Sequence, residues 1–573
     1  MSRMIVDPIT RIEGHLRIEA QVDGGKVTDA WSSTTMWRGL EKILVGRDPR
    51  DAWYFTQRIC GVCTTSHALV SVRAVEDALD ITPPPNAHLL RNLIYASQAV
   101  HDHVVHFYHL HALDWVDVVS ALDGDPAEAA AIGQSISDYT GNSVQKLTAV
   151  KEKLATFVAG GQLGPFTNGY WGHPAYKLPP SVNLLAVSHY LDALEWQREY
   201  IKVHTILGGK NPHPQTYLVG GMATPIDPNS HAALNADKFA QLRDLLQMGL
   251  DFVNKVYIPD LKAVASFYPE WTAIGGGLTN YLSAGDLFAE PRPTMAQRAE
   301  AVLPMGLVVG LDLTTVYDFD PKKVTEEVTH SWFTYAGGDD VGLNPLEGET
   351  EPNFTGPQPP YEELNVEEKY TWLKSPRYDG QAFEVGPLAR MIVGYARGNK
   401  RIVELVNASL AELKVGAEAL HSTLGRTLAR GLESVICAEY SLTALDALIA
   451  NVASGDLRIH SGDTWDPATW PAGVSQGAGF EEAPRGMLSH WINIENGQIK
   501  NYQAVVPSTW NGGPRDAKDQ LGAYESSLIG TPVAVEDQPL EILRTVHSFD
   551  PCMACAAHVL DADGNEVVEV KVL

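Results

Sequence analysis

The chain has 573 residues, of which 45% are hydrophobic, and a formal net charge of −27 at pH 7. This length exceeds what one core usually fills, and the hydrophobic fraction rules out wholesale disorder, so we expect two or three packed regions. The negative charge argues against binding to nucleic acid, because phosphates need a cationic surface. No apolar run approaches the roughly 18 residues of a membrane helix, and the first residues lack a secretory signal. We therefore expect that the chain neither spans a membrane nor exports itself.

The predicted elements begin with a hairpin, because residues 16–22 and 26–33 alternate in polarity on either side of a turn at Asp23-Gly24-Gly25. Helical spacing follows the first cysteine pair and stops before three consecutive prolines. Further helical patterns cover about 88–122, 184–207, 234–257 and 386–453. The acidic, proline-rich stretch 342–365 predicts an exposed loop, and residues 490–506 predict a second hairpin.

Four of the five cysteines form two CxxC pairs near opposite ends of the chain: Cys60 with Cys63, and Cys552 with Cys555. Two intervening residues allow both thiolates of a pair to reach one metal ion. Four thiolates suit zinc, nickel, or iron in a cluster. A structural zinc site stays open on this pattern, although zinc ribbons usually separate their pairs by about 15–20 residues. A redox CxxC is less favoured, because there are two pairs and neither lies in a βαβ pattern.

Seven stretches narrow this choice when they are taken together. In chain order they read DPITRIEGH, TMWRGLE, RICGVC, HDHVVHFYHLHALDW, APRGMLSHW, VVPSTWNGGPRD and SFDPCMACAAH. They resemble the large subunit of nickel–iron hydrogenases, in the membrane-associated uptake branch and in its unprocessed precursor form, over essentially the whole chain. The resemblance implies an enzyme that cleaves H2 heterolytically and reversibly to protons and electrons, mainly in the uptake direction.

Two other functions within this resemblance are weighed. A hydrogen-sensing regulatory subunit would carry the same cluster, but sensors generally lack the C-terminal extension that follows His558 here. A structural or electron-transfer scaffold related to respiratory-complex subunits would have lost the cysteines, and all four are present. The catalytic subunit is therefore the favoured function.

The resemblance implies a nickel–iron cluster held by the two cysteine pairs. By this pattern Cys60 and Cys552 are terminal nickel ligands, whereas Cys63 and Cys555 bridge nickel and iron. The remaining iron ligands would be carbon monoxide and cyanide, which no side chain supplies. The Cys552 thiolate would also accept a proton during turnover.

Further residues match catalytic and supporting positions of the family. Glu13, in TRIEGH, matches the first proton acceptor, expected near Cys552. Arg485, in APRGM, matches an arginine held over the open metal positions, where a guanidinium can stabilise charge. Asp102 and Asp550 match the carboxylates that orient this arginine, and a buried arginine needs such partners.

Less central positions also match the family. His67 resembles a histidine that hydrogen-bonds a bridging thiolate, while Pro484 and Ser508 match positions around the cyanides. A magnesium site is implied, with Glu41, the carbonyl of Ala504 and His558 as ligands. Five other histidines are predicted to pack and hydrogen-bond rather than bind metal: His101, His103, His106, His109 and His111. Cys437 is predicted to be a small buried hydrophobe.

The fifteen residues after His558 match a C-terminal extension that is removed during maturation, with the cut between His558 and Val559. The resemblance implies a maturation protease and a nickel chaperone. It also implies an iron–sulfur small subunit, in a heterodimer that can pair into a dimer of heterodimers. Electrons would pass through that subunit to a membrane acceptor. The complex would lie on the periplasmic side of the cytoplasmic membrane, exported with the small subunit.

The predicted fold is a predominantly α-helical α+β multidomain protein. Its centre is a bundle of long helices, and its mixed α/β terminal regions meet at the metal site. We divide the chain into a β-rich N-terminal segment, a helical body, an acidic loop with a second helical region, a C-terminal α+β segment and the cleavable extension. Their bounds are 1–65, 66–340, 341–480, 481–558 and 559–573.

Overall fold

The computed structural model describes residues 2–161, 163–167, 169–356 and 363–553. Cys555, His558 and Val559 lie outside the described residues. The described α-helices are Leu40–Leu44, Ala52–Thr56, Ser66–Leu79, Pro85–Val105, Pro126–Ile136, Val144–Ala159, Pro180–Tyr200, Lys202–Gly208, Ala236–Phe252, Ile258–Phe267, Met295–Ala299, Pro387–Ala396, Lys400–Leu413, Thr423–Ala453, Pro507–Gly512, Ala523–Leu528 and Leu540–Ser548.

The described strands form two sheets of three strands and four short ribbons of two. The N-terminal sheet contains Ser2–Val6, Arg17–Asp23 and Lys26–Ser33, and the C-terminal sheet contains Val474–Ala483, Gly486–Glu495 and Gln498–Val505, all antiparallel in chain order. The ribbons pair Tyr217–Leu218 with Gly221–Met222, Tyr281–Ser283 with Gly306–Val308, Val324–Glu327 with Ser375–Tyr378, and Phe333–Thr334 with Glu351–Pro352. Both predicted hairpins are present, and the predicted α+β fold class with its helical majority is confirmed.

The helical core is built around Thr423–Ala453, which packs against Pro85–Val105, Ala236–Phe252 and Pro387–Ala396. Among the described helices this one alone is long and apolar enough to cross a membrane. Every residue of its first half, through Ala438, is buried by protein. A helix whose first half is enclosed by other elements in this way is a core element, and we assign it so.

The ends of two helices were predicted wrongly. The helix predicted over 88–122 begins at Pro85 and ends at Val105, and a π turn over His106–His111 follows it. Proline is tolerated in a first helical turn, where its missing N–H has no intrahelical partner. The other helix, predicted to stop before Pro259, continues to Phe267 through a π turn at Val253–Tyr257. The π turn accommodates the proline, because it restarts the hydrogen-bond ladder there.

The two ends of the described chain pack together. The N-terminal sheet shares a hydrophobic cluster with Ala523–Leu528 and Leu540–Ser548. A second cluster joins Cys60 and Cys63 to Cys552. The terminal regions therefore meet where the cysteines lie, as the predicted fold requires. The five segment boundaries remain predictions.

Candidate metal centre

Three of the four paired cysteines converge in a buried cluster. The sulfurs of Cys60, Cys63 and Cys552 lie within 4.8 Å of one another, and the Sγ atoms of Cys60 and Cys552 are 3.4 Å apart. All three residues are at most 5% exposed. Cys555 lies outside the described residues, so the geometry of the fourth predicted ligand is not described.

The loop that carries the first pair is fixed by its own backbone. The backbone N–H groups of Val62 and Cys63 donate to Cys60 Sγ at 3.3 and 3.2 Å. The Arg38 guanidinium donates to the carbonyls of Arg58 and Ile59 at 3.3 and 2.6 Å. The two N–H bonds to Cys60 Sγ stabilise its thiolate form, and the positive charge of Arg38 nearby favours the thiolate as well.

Cys552 is positioned by residues from two distant parts of the chain. Its N–H donates to Ser508 Oγ at 3.0 Å, and its sulfur lies 3.4 Å from Glu13 Oε2. Glu13 and Cys552 also form a parallel β-bridge, in which the N–H of Met553 donates to the Glu13 carbonyl at 2.7 Å. The predicted proton acceptor and the predicted terminal ligand are therefore neighbours in both backbone and side chain.

Arg485 occupies the tip of a tight hairpin. Ala483 pairs with Gly486, so Pro484 and Arg485 are the two turn residues between strands of the C-terminal sheet. Gly486 has φ +139°, and a Cβ there would lie 2.8 Å from the backbone nitrogen of Gly386. Only glycine suits this conformation and this close approach. The fixed tip holds the guanidinium in the cavity that Cys63 and Cys552 also line.

Two buried carboxylates hold the Arg485 side chain. It donates to Asp550 Oδ1 at 3.0 Å and lies 3.5 Å from Asp102 Oδ2. Burial would lower the pKa of Arg485, but the charges of Asp550 and Cys552 hold it well above its usual range. Burial raises the pKa of Asp102, and the nearby His101 ring, 3.6 Å away, and the charge of Arg485 offset this only in part. The trio of arginine and two aspartates predicted from the sequence is thus assembled at the cysteine cluster.

His67 begins a buried chain of hydrogen bonds. Its Nδ1 lies 3.0 Å from His490 Nε2, His490 Nδ1 lies 2.6 Å from the Tyr502 hydroxyl, and that hydroxyl donates to Ser71 Oγ at 3.0 Å. Burial lowers the pKa of His67 to about 4 and that of His490 well below its usual value, so both rings are neutral at neutral pH.

The direction of this series of hydrogen bonds determines which ring nitrogen of His67 carries the proton. If Tyr502 donates to Ser71, His490 donates to Tyr502 and His67 donates to His490, which leaves Nε2 of His67 without a proton. That Nε2 atom is buried and has no hydrogen-bond partner among the described residues. The predicted bond from His67 to a thiolate requires Tyr502 to turn its proton toward His490 instead.

Two of the three residues predicted to hold magnesium, Glu41 and Ala504, lie beside one another. The Ala504 N–H donates to Glu41 Oε1 at 3.0 Å, and the Thr350 hydroxyl donates to Glu41 Oε2. Lys374 Nζ is 4.0 Å from Glu41 Oε2 and donates to Gln503 Oε1 at 2.9 Å. Carboxylate and amide oxygens are the ligands that Mg²⁺ prefers, so the oxygen donors fit, while the ammonium group competes for the same carboxylate. The third predicted ligand, His558, lies outside the described residues.

A second group with metal-ligand spacing contains His111, Asp114 and His547. Arg11 donates to one oxygen of Asp114 at 2.5 Å, and the two rings lie 3.2 and 2.7 Å from its other oxygen. Because the guanidinium already neutralises this carboxylate, we interpret the group as a hydrogen-bonded ion pair. Three further histidines hydrogen-bond elsewhere: His103 to Glu433, His106 to the His547 carbonyl, and His109 to the Tyr190 carbonyl.

Sequence reasoning missed several residues of this centre. Arg38 and His490 stand inside the quoted motifs, so their place there was a usable signal. Gln98, which donates to Asp102 Oδ1 at 2.5 Å, and Tyr502 lie outside those motifs and carry no such signal. Cys437 is fully buried, and burial raises the pKa of its thiol well above the usual value, which agrees with the predicted role as a small hydrophobe.

The donor set fits a soft or borderline transition metal. Three thiols in one buried cluster exclude a site built for magnesium or calcium and suit nickel, iron or zinc. A cavity of about 10 Å³ adjoins the cluster, and Arg485 and Ser508 line it together with Cys63 and Cys552. These polar side chains beside the sulfurs suit a metal group with ligands besides the thiolates, because such ligands need hydrogen-bond donors.

Comparison with known proteins identifies the family of this metal centre. The sequence profile described as "Nickel-dependent hydrogenase" matches residues 38–558, and a profile described as "HoxL-like" matches residues 3–35. The chain is 50% identical to the uptake hydrogenase large subunit of Rhizobium leguminosarum bv. viciae, covering 100% of this chain and 97% of that one. It is 47% identical to the hydrogenase-2 large chain of Escherichia coli K12, covering 100% of both.

A solved structure agrees with this assignment. The Ni-Fe-Se hydrogenase of Desulfovibrio vulgaris Hildenborough, in its as-isolated oxidised state, superposes with a TM-score of 0.76 at 31% identity, covering 97% of this chain and 100% of that one. The zinc and redox alternatives are thereby excluded, since the family is nickel-dependent. The chain belongs to the nickel-dependent hydrogenases, as the catalytic large subunit of a nickel–iron enzyme that oxidises H2.

Proposed function

We propose that this subunit uses Cys552 and Glu13 as its proton exit and Arg485 as the fixed cation at the site of H2 cleavage. The observation that carries the proposal is the convergence of three thiols from opposite ends of the chain within 4.8 Å, beside that arginine and that carboxylate. When bound, the nickel–iron group supplies the site at which H2 is polarised and the acceptor for its electrons.

The chain's own residues then handle the proton. The Cys552 sulfur is 3.4 Å from Glu13 Oε2, so a proton on the thiol can pass directly to the carboxylate. Ser508 holds the backbone of Cys552, and the β-bridge holds Glu13 at a fixed distance from the sulfur. Arg485 keeps its charge throughout, because two carboxylates hold it in the protonated form.

The finer composition of the metal group is part of the proposal. Carbon monoxide and cyanide on the iron are supported by the Arg485 donors and the Ser508 hydroxyl that line the cavity beside the sulfurs, since cyanide ligands need hydrogen-bond donors. Magnesium bound by Glu41, the Ala504 carbonyl and His558 is supported by the placement of the first two residues side by side.

We further propose that the subunit works in a heterodimer with an iron–sulfur small subunit. Its relatives are named large subunits, which implies a smaller partner. The chain has five cysteines, of which four are assigned to nickel and one is buried in the core. It therefore lacks the thiolates for clusters that would carry electrons onward. A membrane acceptor, pairing of heterodimers, and export with the partner to the periplasmic side complete this proposal.

The C-terminal extension is proposed to be removed after His558 by a maturation protease, once a chaperone has delivered nickel. This is supported by the family profile, whose match ends at residue 558 and leaves 559–573 outside. Purified active enzyme should contain a chain whose intact mass corresponds to termination at His558. Full-length chain in fully active enzyme would refute the cut.

Metal analysis with infrared spectroscopy of the purified complex tests the centre itself. We expect about one nickel and one iron per large subunit, with bands from iron-bound carbon monoxide and cyanide. Cys60→Ser should abolish both the nickel and the bands. The matched control is Cys437→Ser, which removes the cysteine in the main core and should leave both unchanged. Nickel retained in Cys60→Ser, or zinc in place of nickel, would contradict the assignment.

A further inference from the structure

Two adjacent glutamates precede the Arg485 hairpin tip, and they differ in their hydrogen bonding. Glu482 accepts from the N–H of Ala284 at 2.6 Å and from Arg390 at 2.8 Å. Glu481 is equally buried, at 0% exposed, yet neither of its carboxyl oxygens has a hydrogen-bond partner among the described residues. A buried carboxyl group without partners is costly, so this position requires an explanation.

The strand geometry shows where Glu481 points. Alternate residues of a strand share a face, so Glu481 shares one with Gly477 and Gly479. A Cβ at Gly477 would lie 2.3 Å from the Ala78 nitrogen, and one at Gly479 would lie 2.2 Å from the Val70 carbonyl. The Gly477 position lies beside Ala74 and Ala78 and the Gly479 position beside Val70 and Ala74, so each step of two strand residues moves about one turn along the helix Ser66–Leu79, toward its N-terminus. The Glu481 side chain therefore meets the first turn of that helix.

Three more unpartnered groups lie at this place. The hydroxyls of Thr65, Ser66 and Tyr217 are buried and have no hydrogen-bond partner among the described residues. Their proximity is also seen in their electrostatics, because Ser66 lies close enough to Glu481 to lower its pKa, Thr65 acts in the same way on Tyr217, and the Glu481 charge raises the pKa of Tyr217. Thr65 precedes the helix but makes no side-chain cap to it. Four neighbouring side chains thus present polar oxygens to one another at close range without well-aligned hydrogen bonds.

No cation among the described residues hydrogen-bonds to Glu481. Arg73, the cation that acts on it, uses both terminal nitrogens on Asp286, at 3.0 and 3.1 Å, and one of them also on the Phe480 carbonyl. Asp286 and Glu482 add negative charge nearby. Burial and Asp286 together raise the pKa of Glu481 to about 8, although Arg73 and Ser66 oppose this.

We propose that Glu481, Ser66, Thr65 and Tyr217 enclose a binding site for ordered water, in which Glu481 is a neutral carboxylic acid that donates a hydrogen bond to that water. One or two waters with two to four polar partners each would satisfy all four side chains. The water would connect the strand that leads into the Arg485 turn to the turn after Cys63. It would thus hold these two parts of the metal centre together through hydrogen bonds to a neutral acid rather than through an ion pair.

Infrared difference spectroscopy of the purified complex tests this site at a pH well below 8. Wild type minus Glu481→Gln should show one carbonyl band of a protonated carboxylic acid, which shifts in D2O. Glutamine has the shape of the neutral acid, so this variant should fold. The matched control, Glu199→Gln, removes an exposed carboxylate paired with Lys202 and should not change the acid region.

The water is tested separately from the proton. Ser66→Ala and Tyr217→Phe should each shift the Glu481 band, and a high-resolution structure should show water within hydrogen-bond distance of the carboxyl group. A missing acid band in wild type would overturn the neutral state. A band that neither variant moves, or a structure without water between these four side chains, would overturn the water site. None of these readouts depends on H2 oxidation, so a failure here leaves the proposed function intact.

Discussion

Replacing Arg485 with methionine tests whether the cation at the metal centre is held by its two aspartates. Methionine nearly preserves length and removes the charge, leaving Asp102 and Asp550 buried at 2% and 0% exposed. In this variant Asp102 keeps its hydrogen bond from Gln98 and still lies near His101. Asp550 has no other side-chain hydrogen-bond partner among the described residues. Removing one member of a buried pair costs about 3–5 kcal/mol, and most of this cost should come through Asp550.

This energy converts into a measurable shift in melting temperature. Unfolding entropy of about 2.1 cal/mol/K per residue gives about 1.2 kcal/mol/K for the whole chain. A loss of about 4 kcal/mol therefore lowers the melting temperature of Arg485→Met by about 3 °C. Adding Asp550→Asn should restore part of the loss, because the stranded charge is removed. The assay is thermal unfolding of the full-length, metal-free chain at constant pH, which isolates the protein from cofactor loading.

A surface arginine provides the control. Arg458→Met breaks an ion pair with Asp456 in which the arginine side chain is 73% exposed, and such exposed pairs contribute little to stability. Its melting temperature should fall by less than about 1 °C. Equal melting of wild type and Arg485→Met would refute the reasoning. So would additive effects of Arg485→Met and Asp550→Asn, since coupled residues must deviate from additivity.

Three further outcomes follow from the centre. Glu13→Gln should lower H2 oxidation by about 10²–10⁴-fold with nickel content unchanged, because the proton acceptor 3.4 Å from Cys552 is lost; full activity would contradict this. Mild oxidation of metal-free chain should cross-link Cys60 to Cys552, detectable by non-reducing peptide mapping, and nickel loading should protect them; no cross-link in metal-free chain would contradict it. Because folding raises the pKa of Glu481 from 4.5 to about 8, its own contribution to stability should fall by up to about 4 kcal/mol from pH 5 to 8, so the difference in stability between wild type and Glu481→Gln should change by that amount over this range; parallel pH profiles would contradict it.

The sequence predicted elements well where local chemistry decides them. The turn Asn496-Gly497 has φ of +53° and +75°, values that this pair adopts readily, and the predicted hairpin is present. The hairpin that carries Arg485 was recognised only as a motif, because Pro484-Arg485 is not a turn signal of that kind. Its shape depends on the close approach of Gly486 to Gly386, which joins distant parts of the chain.

Tertiary contacts explain the elements that were predicted wrongly. The apolar periodicity continues past Val105, but the helix gives way to a π turn where His106 donates to the His547 carbonyl at 2.7 Å. Periodicity cannot register a partner more than four hundred residues away. The same limit applies within the centre: the resemblance supplied Glu13, Arg485 and the cysteines, whereas no local pattern marks Tyr502 or Glu481.

The separation of the two cysteine pairs makes closure of the centre a late event in folding. Cys60 and Cys552 are 492 residues apart along the chain, so their contact carries a large loop-closure cost, whereas the helical core forms from more local contacts. That cost is offset only when the helix Leu540–Ser548 docks on the N-terminal sheet and buries their shared cluster. Until then we expect Cys552 to be exposed to solvent, while Cys60 and Cys63 are already held in their loop. Metal binding and docking of the C-terminal segment should therefore stabilise each other, because the bound metal joins both ends.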